Sequence, residues 1–298
     1  MIITPEIKVN NKIFKFIKRR SHRPVSVYRS GGEFMRLGES GQVKKEFAVH
    51  KKLLRLKFPV AAILKNGKFG KLSYYTEKSL GEDHFGHIFR DDYNKSKTIN
   101  RKNFALFLKI SEKFAEAQLA TTTNKPRLSE FFFQIHKPEV FKELPQYKKL
   151  LAKSFHKIQA NLKNLPFVLS HGDFNPHNIY PKGVTDLETF HYAPLGYDIV
   201  TNITQISFFP LGHTYEFYRG YYFSTQQRQQ YFALMDNLFI KHGYKPISEY
   251  KQHFIMCRAV WSVVRMDRWP KIQHWRYKQF KKLLENYLAN KPTEKILL

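Results

Sequence analysis

Cysteine is nearly missing from this chain of 298 residues: Cys257 stands alone. An internal disulfide is therefore excluded. Cys257 lies in the apolar run Phe254-Ile255-Met256-Cys257, so a buried and inert thiol is expected. Long apolar runs are missing too. The stretch Phe58-Pro59-Val60-Ala61-Ala62-Ile63-Leu64 is far too short to span a bilayer. The first residues alternate with lysine and carry no apolar signal core, so a cytoplasmic location is expected. Internal repeats and low-complexity tracts are also lacking. The length suits one large domain or two modest ones.

Acidic residues are scarce: 24 against 51 Lys and Arg, a formal net charge of +27. A solvated lysine-rich surface is one source of such an excess. A polyanionic partner such as nucleic acid, ribosomes or an anionic membrane face is a second, and an anionic substrate a third. The lysines are spread along the chain and no nucleic-acid motif accompanies them, so nucleic acid stays open as a partner without being favoured. After Ile199 the acids are only Glu216, Asp236, Glu249, Asp267, Glu285 and Glu294. A pocket for a polycation would want several carboxylates, which argues against aminoglycoside substrates.

Against this background one stretch carries chemistry: His171-Gly172-Asp173-Phe174-Asn175-Pro176-His177-Asn178, followed by Asp186-Leu187-Glu188. Carboxylate, amide and carboxylate at these spacings suit magnesium-dependent phosphoryl transfer, which needs a positioned hydroxyl, a phosphate clamp and hard oxygen ligands. Phe167-Val168-Leu169 reads as a buried strand leading into the loop. Pro181-Lys182-Gly183 reads as a turn. A hairpin centred on Lys182 would set Asn178 opposite Asp186, both hard ligands for Mg²⁺. Two other readings use the same residues. Asp and Asn favour turns for purely local reasons, and His171, Asp173 and His177 also make a set of transition-metal ligands for a hydrolase.

The motif resembles that of the aminoglycoside phosphotransferase and choline kinase group of the protein-kinase-like superfamily: a His-Gly-Asp, an Asn five residues after the Asp, and an Asp-x-Glu-like stretch beyond. The matching residues are His171, Gly172, Asp173, Asn178, Asp186 and Glu188. The resemblance implies that Asp173 accepts the proton of an acceptor hydroxyl, that Asn178 and Asp186 hold Mg²⁺, and that Asp198 ties the catalytic loop down by hydrogen bonds.

The N-terminal part reads as strands. Ile13–Ile17 alternates, and Val25–Tyr28 and Phe34–Leu37 flank Gly31-Gly32 as a hairpin. A helix over 42–56 presents Val43, Phe47, His50 and Leu54 on one stripe, with Glu46 beside it. A carboxylate there calls for a cationic partner. The resemblance supplies one: a strand cation paired with the helix Glu and touching the nucleotide phosphates. The strand position holds Arg36 where the family has Lys, a planar fork for a point charge. A further strand, Lys71–Thr76, runs into Glu77-Lys78-Ser79-Leu80-Gly81. There the resemblance implies that backbone groups of residues such as Glu77 and Ser79 meet the adenine edge. The first hairpin turn, Arg19–Pro24, has no glycine and departs from the family's phosphate-covering loop.

After Gly81 the chain reads as helical. Phe107, Ile110, Phe114 and Ala117 form a core stripe, and Pro145–Leu162 makes a lysine-rich helix. Phe254, Cys257, Val260, Trp261 and Val264 form a late apolar face that Pro270 is expected to end. Arg258, Arg265 and Arg268 ride on that helix, either solvated or lining an acceptor pocket. The expected fold is α+β and protein-kinase-like: a β-rich N-terminal lobe over 1–80 and a mostly helical lobe over 81–298. The expected function is Mg²⁺-dependent transfer of the γ-phosphoryl group of ATP or GTP to a hydroxyl of a small molecule. The alternatives are an inactive kinase-like nucleotide binder and a basic nucleic-acid-binding protein.

Overall fold

The computed structural model describes residues 4–19, 25–187, 190–209, 220–264 and 270–293. The Arg19–Pro24 turn, Glu188, Arg265 and Arg268 fall wholly or largely outside the described residues. The chain divides into two compact units, Met1–His84 with Asn178–Glu188, and Phe85–His177 with Thr189–Leu298.

The first unit is an antiparallel six-stranded sheet of order β1-β2-β3-β4-β6-β5 with one helix. The strands are β1 (Glu6–Val9), β2 (Lys12–Arg19), β3 (Val25–Ser30), β4 (Glu33–Gly38), β5 (Ile63–Phe69) and β6 (Leu72–Lys78), and α1 spans Ser40–Arg55. Gly31-Gly32 makes the expected two-residue turn, with Ser30 opposite Glu33. Strands β1 and β5 escape the sequence reading. The turn into β2 uses Asn10 and Asn11, both left-handed at φ 50° and 63°. Asn is one of the few side chains that tolerate that region, and two in a row fit a tight hairpin. One face of the sheet buries Ile7, Phe14, Tyr28, Met35, Leu37 and Tyr74 together. Val25 and Tyr75 pack with Val43 of α1.

Residues 178–188 return to this unit, whereas the sequence reading assigns them to the helical lobe. The cause is backbone pairing. Strands β8 (Ile179–Tyr180) and β9 (Gly183–Val184) form a hairpin. The Val184 N–H donates to the Pro59 carbonyl at 2.6 Å, and that of Lys182 donates to the Leu80 carbonyl at 3.0 Å.

The second unit is helical: α2 (Phe85–Ser96), α3 (Arg101–Leu119), α4 (Leu128–Gln134), α5 (Lys137–Glu143), α6 (Lys148–Leu162), α7 (Tyr197–Thr204), α8 (Thr225–Lys241), α9 (Lys251–Val263) and α10 (Pro270–Leu288). A two-stranded ladder joins β7 (Phe167–Ser170) to β10 (His191–Pro194). Phe107 and Phe114 of the α3 stripe are fully buried, with Ile110 and Ala117 nearly so. Helix α9 ends at Val263, before Pro270, which instead opens α10. A first-turn proline is tolerated because the N–H it lacks would have had no partner within the helix. Cys257 is wholly buried, and burial pushes its thiol up. Among the described residues no helix is long and apolar enough to cross a membrane.

Gly196 precedes α7 at φ 101°, and a Cβ there would sit 1.8 Å from Ile247 Cδ1. Gly196→Ala therefore combines backbone strain with a collision and should cost at least about 2 kcal/mol. Denaturant unfolding reads this directly, and a loss below about 0.5 kcal/mol, the range of an ordinary surface change, would contradict the packing.

Candidate active site

Strand β7 delivers the loop that begins at His171. The strand is fixed from outside: the Leu169 N–H donates to Thr121 Oγ1 at 2.8 Å, and Gln118 Nε2 donates to the Leu169 carbonyl at 3.1 Å. Beyond it the chain turns sharply at Gly172, φ 78°. Asp198, in the first turn of α7, is 1 % exposed and accepts three hydrogen bonds. The His171 N–H (2.6 Å) and Gln118 Nε2 (2.7 Å) donate to its Oδ2, and the Gly172 N–H (3.1 Å) donates to Oδ1. A buried carboxylate requires such donors, so Asp198 fixes two consecutive amides of the loop. The His171 ring is fully buried among Phe114, Phe174 and Phe190. Its Nδ1 accepts from the Asp173 N–H at 3.3 Å.

Asp173 itself stays about a quarter exposed. Its Oδ1 accepts from Asn175 Nδ2 at 3.1 Å and from Arg258 Nη2 at 2.6 Å. Arg258 lies on α9 at zero exposure, which corrects the reading of that residue as a solvated rider on its helix or a pocket wall. Its Nη1 donates to the Gly172 carbonyl at 3.3 Å, and its guanidinium carbon lies 3.8 Å from the centre of the Trp261 ring. A contact between residues 85 apart leaves no mark in local spacing. Gln118 and Asn175 carry no local signal of their bonds either, although Asn175 lies inside the motif.

His177 does not join His171 and Asp173 as a ligand set. Its ring packs on Gly86, where a Cβ would lie 2.5 Å from Nδ1. Burial, with His87 and Arg90 adding, pushes it down to about 4. Among the described residues no group of three or more His, Cys, Asp or Glu is arranged to hold a metal ion. The transition-metal reading accordingly has no cluster to rest on.

In the first unit the β8–β9 register differs from expectation. Ile179 pairs with Val184 and Tyr180 with Gly183, so the centre lies between Pro181 and Lys182. Asn178 consequently lines up with Thr185, whose N–H donates to the Asn178 carbonyl at 2.9 Å, and Asp186 follows one residue later. The reason is the turn: a two-residue loop is centred between its residues, not on one of them. Asp186 has φ 61°, a left-handed conformation that few residues other than Gly, Asn and Asp adopt. Asn178 and Asp186 both remain half-buried, so an amide oxygen and a carboxylate share one end of a short hairpin. Hard oxygen donors of this kind fit Mg²⁺, which keeps several waters and takes few protein ligands.

Arg36 on β4 is 8 % exposed, and the carboxylate it bonds belongs to Glu77 on β6. Both Nε and Nη2 reach Glu77 Oε1 at 3.0 Å. Burial alone would pull the guanidinium down. The Glu77 carboxylate outweighs that, with Tyr75 and Glu46 adding, so Arg36 stands above its ordinary value. Glu46 is buried on α1 as expected, and its charge favours that of Arg36, but the hydrogen-bonded partner is Glu77. His50, on the same α1 stripe, places Nε2 2.7 Å from the Ala61 carbonyl and Nδ1 3.4 Å from Glu77 Oε2. Burial pushes its pKa down, which outweighs the pull of Glu77. The Ser79 N–H donates to the Gly32 carbonyl at 2.8 Å, so that amide is committed within the unit.

No family model matches the chain, and no curated protein matches it by sequence. Solved structures do match. A choline/ethanolamine kinase family protein from Mesorhizobium loti is 13 % identical, with a TM-score of 0.57, covering 93 % of this chain and 91 % of that one. A thermostable mutant of the aminoglycoside phosphotransferase APH(4)-Ia, in a ternary complex with AMP-PNP and hygromycin B, is 12 % identical with a TM-score of 0.54, covering 91 % and 93 %. The chain has their fold, the α+β protein-kinase-like fold with an antiparallel N-terminal sheet and a helical remainder.

Arg36 and Glu77 should be energetically coupled. Removing either partner of a buried pair costs about 3–5 kcal/mol, and the double change should cost less than the sum. A cycle of Arg36→Met and Glu77→Gln in denaturant unfolding measures this. Coupling of Arg36 to Glu46 that exceeds its coupling to Glu77 would contradict the pairing.

Proposed function

We propose that this protein is a phosphotransferase that moves the γ-phosphoryl group of ATP or GTP to a hydroxyl group of a small molecule. The observation that carries this reading is the loop at Asp173: a partly exposed carboxylate on a backbone held by the buried Asp198. In the reaction the acceptor oxygen attacks the γ-phosphorus and the bond to the β–γ bridging oxygen breaks. The nucleoside diphosphate departs and the hydroxyl proton passes to the Asp173 carboxylate. Asn178 and Asp186 would hold Mg²⁺, which supplies charge neutralisation to the phosphates when bound. Arg36, braced by Glu77 and favoured by the charge of Glu46, would face the phosphates, and the segment from Glu77 to Ser79 would meet the base through backbone groups other than the committed Ser79 amide. With Arg in place of Lys, the contact would be a directional fork.

The acceptor is neutral or anionic in this reading. Asp173 is already matched by Arg258. Arg276, a second buried guanidinium, is bonded to the carbonyls of Phe208 and Ser262 and is pushed down to about 9 by burial and by Arg258. Three carboxylates after Asp198 are described: Asp236 accepts from Ser248, Glu285 lies 3.8 Å from Lys281, and Glu249 lies in the short turn Ile247–Tyr250 before α9. A polycation would find few counter-charges there.

The test is a nucleotide-consumption screen against pooled hydroxyl-bearing metabolites with Mg²⁺, with Asp173→Asn as control. Loss of a general base costs about 10²–10⁴-fold in turnover. The variant should lose that much while binding nucleotide nearly as before. A variant that turns over like the wild type would remove Asp173 from the mechanism.

A further inference from the structure

Among the described residues Arg258 is a buried guanidinium paired with the proposed base, and phosphoryl transfer as outlined gives it no task. We infer that Arg258 is a positioning residue for Asp173, an inference that rests on the phosphotransfer reading. The two terminal nitrogens divide their bonds between the Asp173 carboxylate, at 2.6 Å, and the Gly172 carbonyl, at 3.3 Å. One rigid fork therefore ties the side chain of the base to the backbone of the residue before it. Lysine, a single point charge on a flexible stem, does not reproduce that geometry.

The fork is itself held. Its guanidinium carbon lies over the Trp261 ring, 3.8 Å from the centroid, and α9, which carries it, packs against α7, which carries Asp198. The loop is thus gripped twice: Asp198 holds the amides of His171 and Gly172, and Arg258 holds the carbonyl of Gly172 and the carboxylate of Asp173. Arg258 has no exposed side-chain surface whereas Asp173 keeps about a quarter of its own. Arg258 therefore cannot meet a substrate, and its influence on the reaction passes through the orientation of the carboxylate. A misplacement of about 1 Å in a reacting group can cost on the order of 10²-fold in rate.

The experiment compares wild type, Asp173→Asn, Arg258→Lys and Arg258→Ala. Each is assayed for Mg-ATP hydrolysis, with water as the acceptor, together with nucleotide KM and thermal melting. Arg258→Lys, which keeps the charge and most of the volume, should melt near the wild type, lose about 10–10²-fold in kcat and leave KM within twofold. Added guanidinium should restore part of the activity of Arg258→Ala, or of Arg258→Lys if the alanine variant does not fold. Asp173-dependent hydrolysis that Arg258→Lys leaves untouched would overturn the inference and leave the phosphotransfer reading standing. So would a kcat loss that only follows the melting temperature and that guanidinium does not restore. Wild-type hydrolysis that is absent, or indifferent to Asp173→Asn, would overturn both.

Discussion

A carboxylate buried to 1 % exposure sets the terms for the helical unit. Asp198 sits where an unpaired charge would be very costly, so donors must converge on it. Two of the three are backbone amides of the loop that bears the candidate base, and the third is Gln118 of α3. Hydrogen bonds to a charged group contribute about 1.5–3 kcal/mol each. The loop therefore cannot relax without stranding the carboxylate. Gly196, at φ 101° against Ile247, and Gly172, at φ 78°, are the backbone concessions that let α7 and the loop come this close.

The same logic, a buried charge that dictates its neighbours, recurs in the sheet unit. Arg36 is nearly buried, and the facing strand supplies Glu77 to hold it. Glu46 on α1 adds its field, and the buried His50 ring fills the space beside Glu77. The cation that the kinase-like reading needs is thus kept charged by a carboxylate on its own sheet, with the helix carboxylate as a second source of negative potential. Across the surface the charge is managed differently. Most lysines are exposed, and pairs such as Lys281 with Glu285 contribute little. The excess of +27 shapes the long-range field more than the fold.

How much of this was legible in the sequence depended on how far apart the partners lie. The His171–Asn178 stretch, the burial of Phe107 and Phe114, the Gly31-Gly32 turn and the Glu46 face of α1 follow from local composition and period. Strands β1 and β5 were lost because each is short or dominated by polar and glycine residues, and β10 because His191–Pro194 carries no alternating pattern. The β8–β9 hairpin is legible in the turn residues but its register is not. A displaced turn centre replaces Asp186 by Thr185 opposite Asn178. The partners of the charged residues were the least legible. Glu77 lies 41 residues from Arg36, and Asp173 lies 85 from Arg258, pairings that only the folded topology creates. An arginine on an apolar helix does signal that something must receive it, but not which carboxylate will.

The grip of Asp198 on the loop is tested most directly by amide hydrogen exchange at His171 and Gly172 in the wild type and in Asp198→Asn, compared with β7 and α3 in the same proteins. The account predicts slow exchange of both amides in the wild type. In the variant their protection should fall well beyond that of the β7 and α3 amides, because the buried acceptor has become a group that also carries donors. Protection of His171 and Gly172 that is unchanged, or that falls only in step with the whole unit, would contradict it.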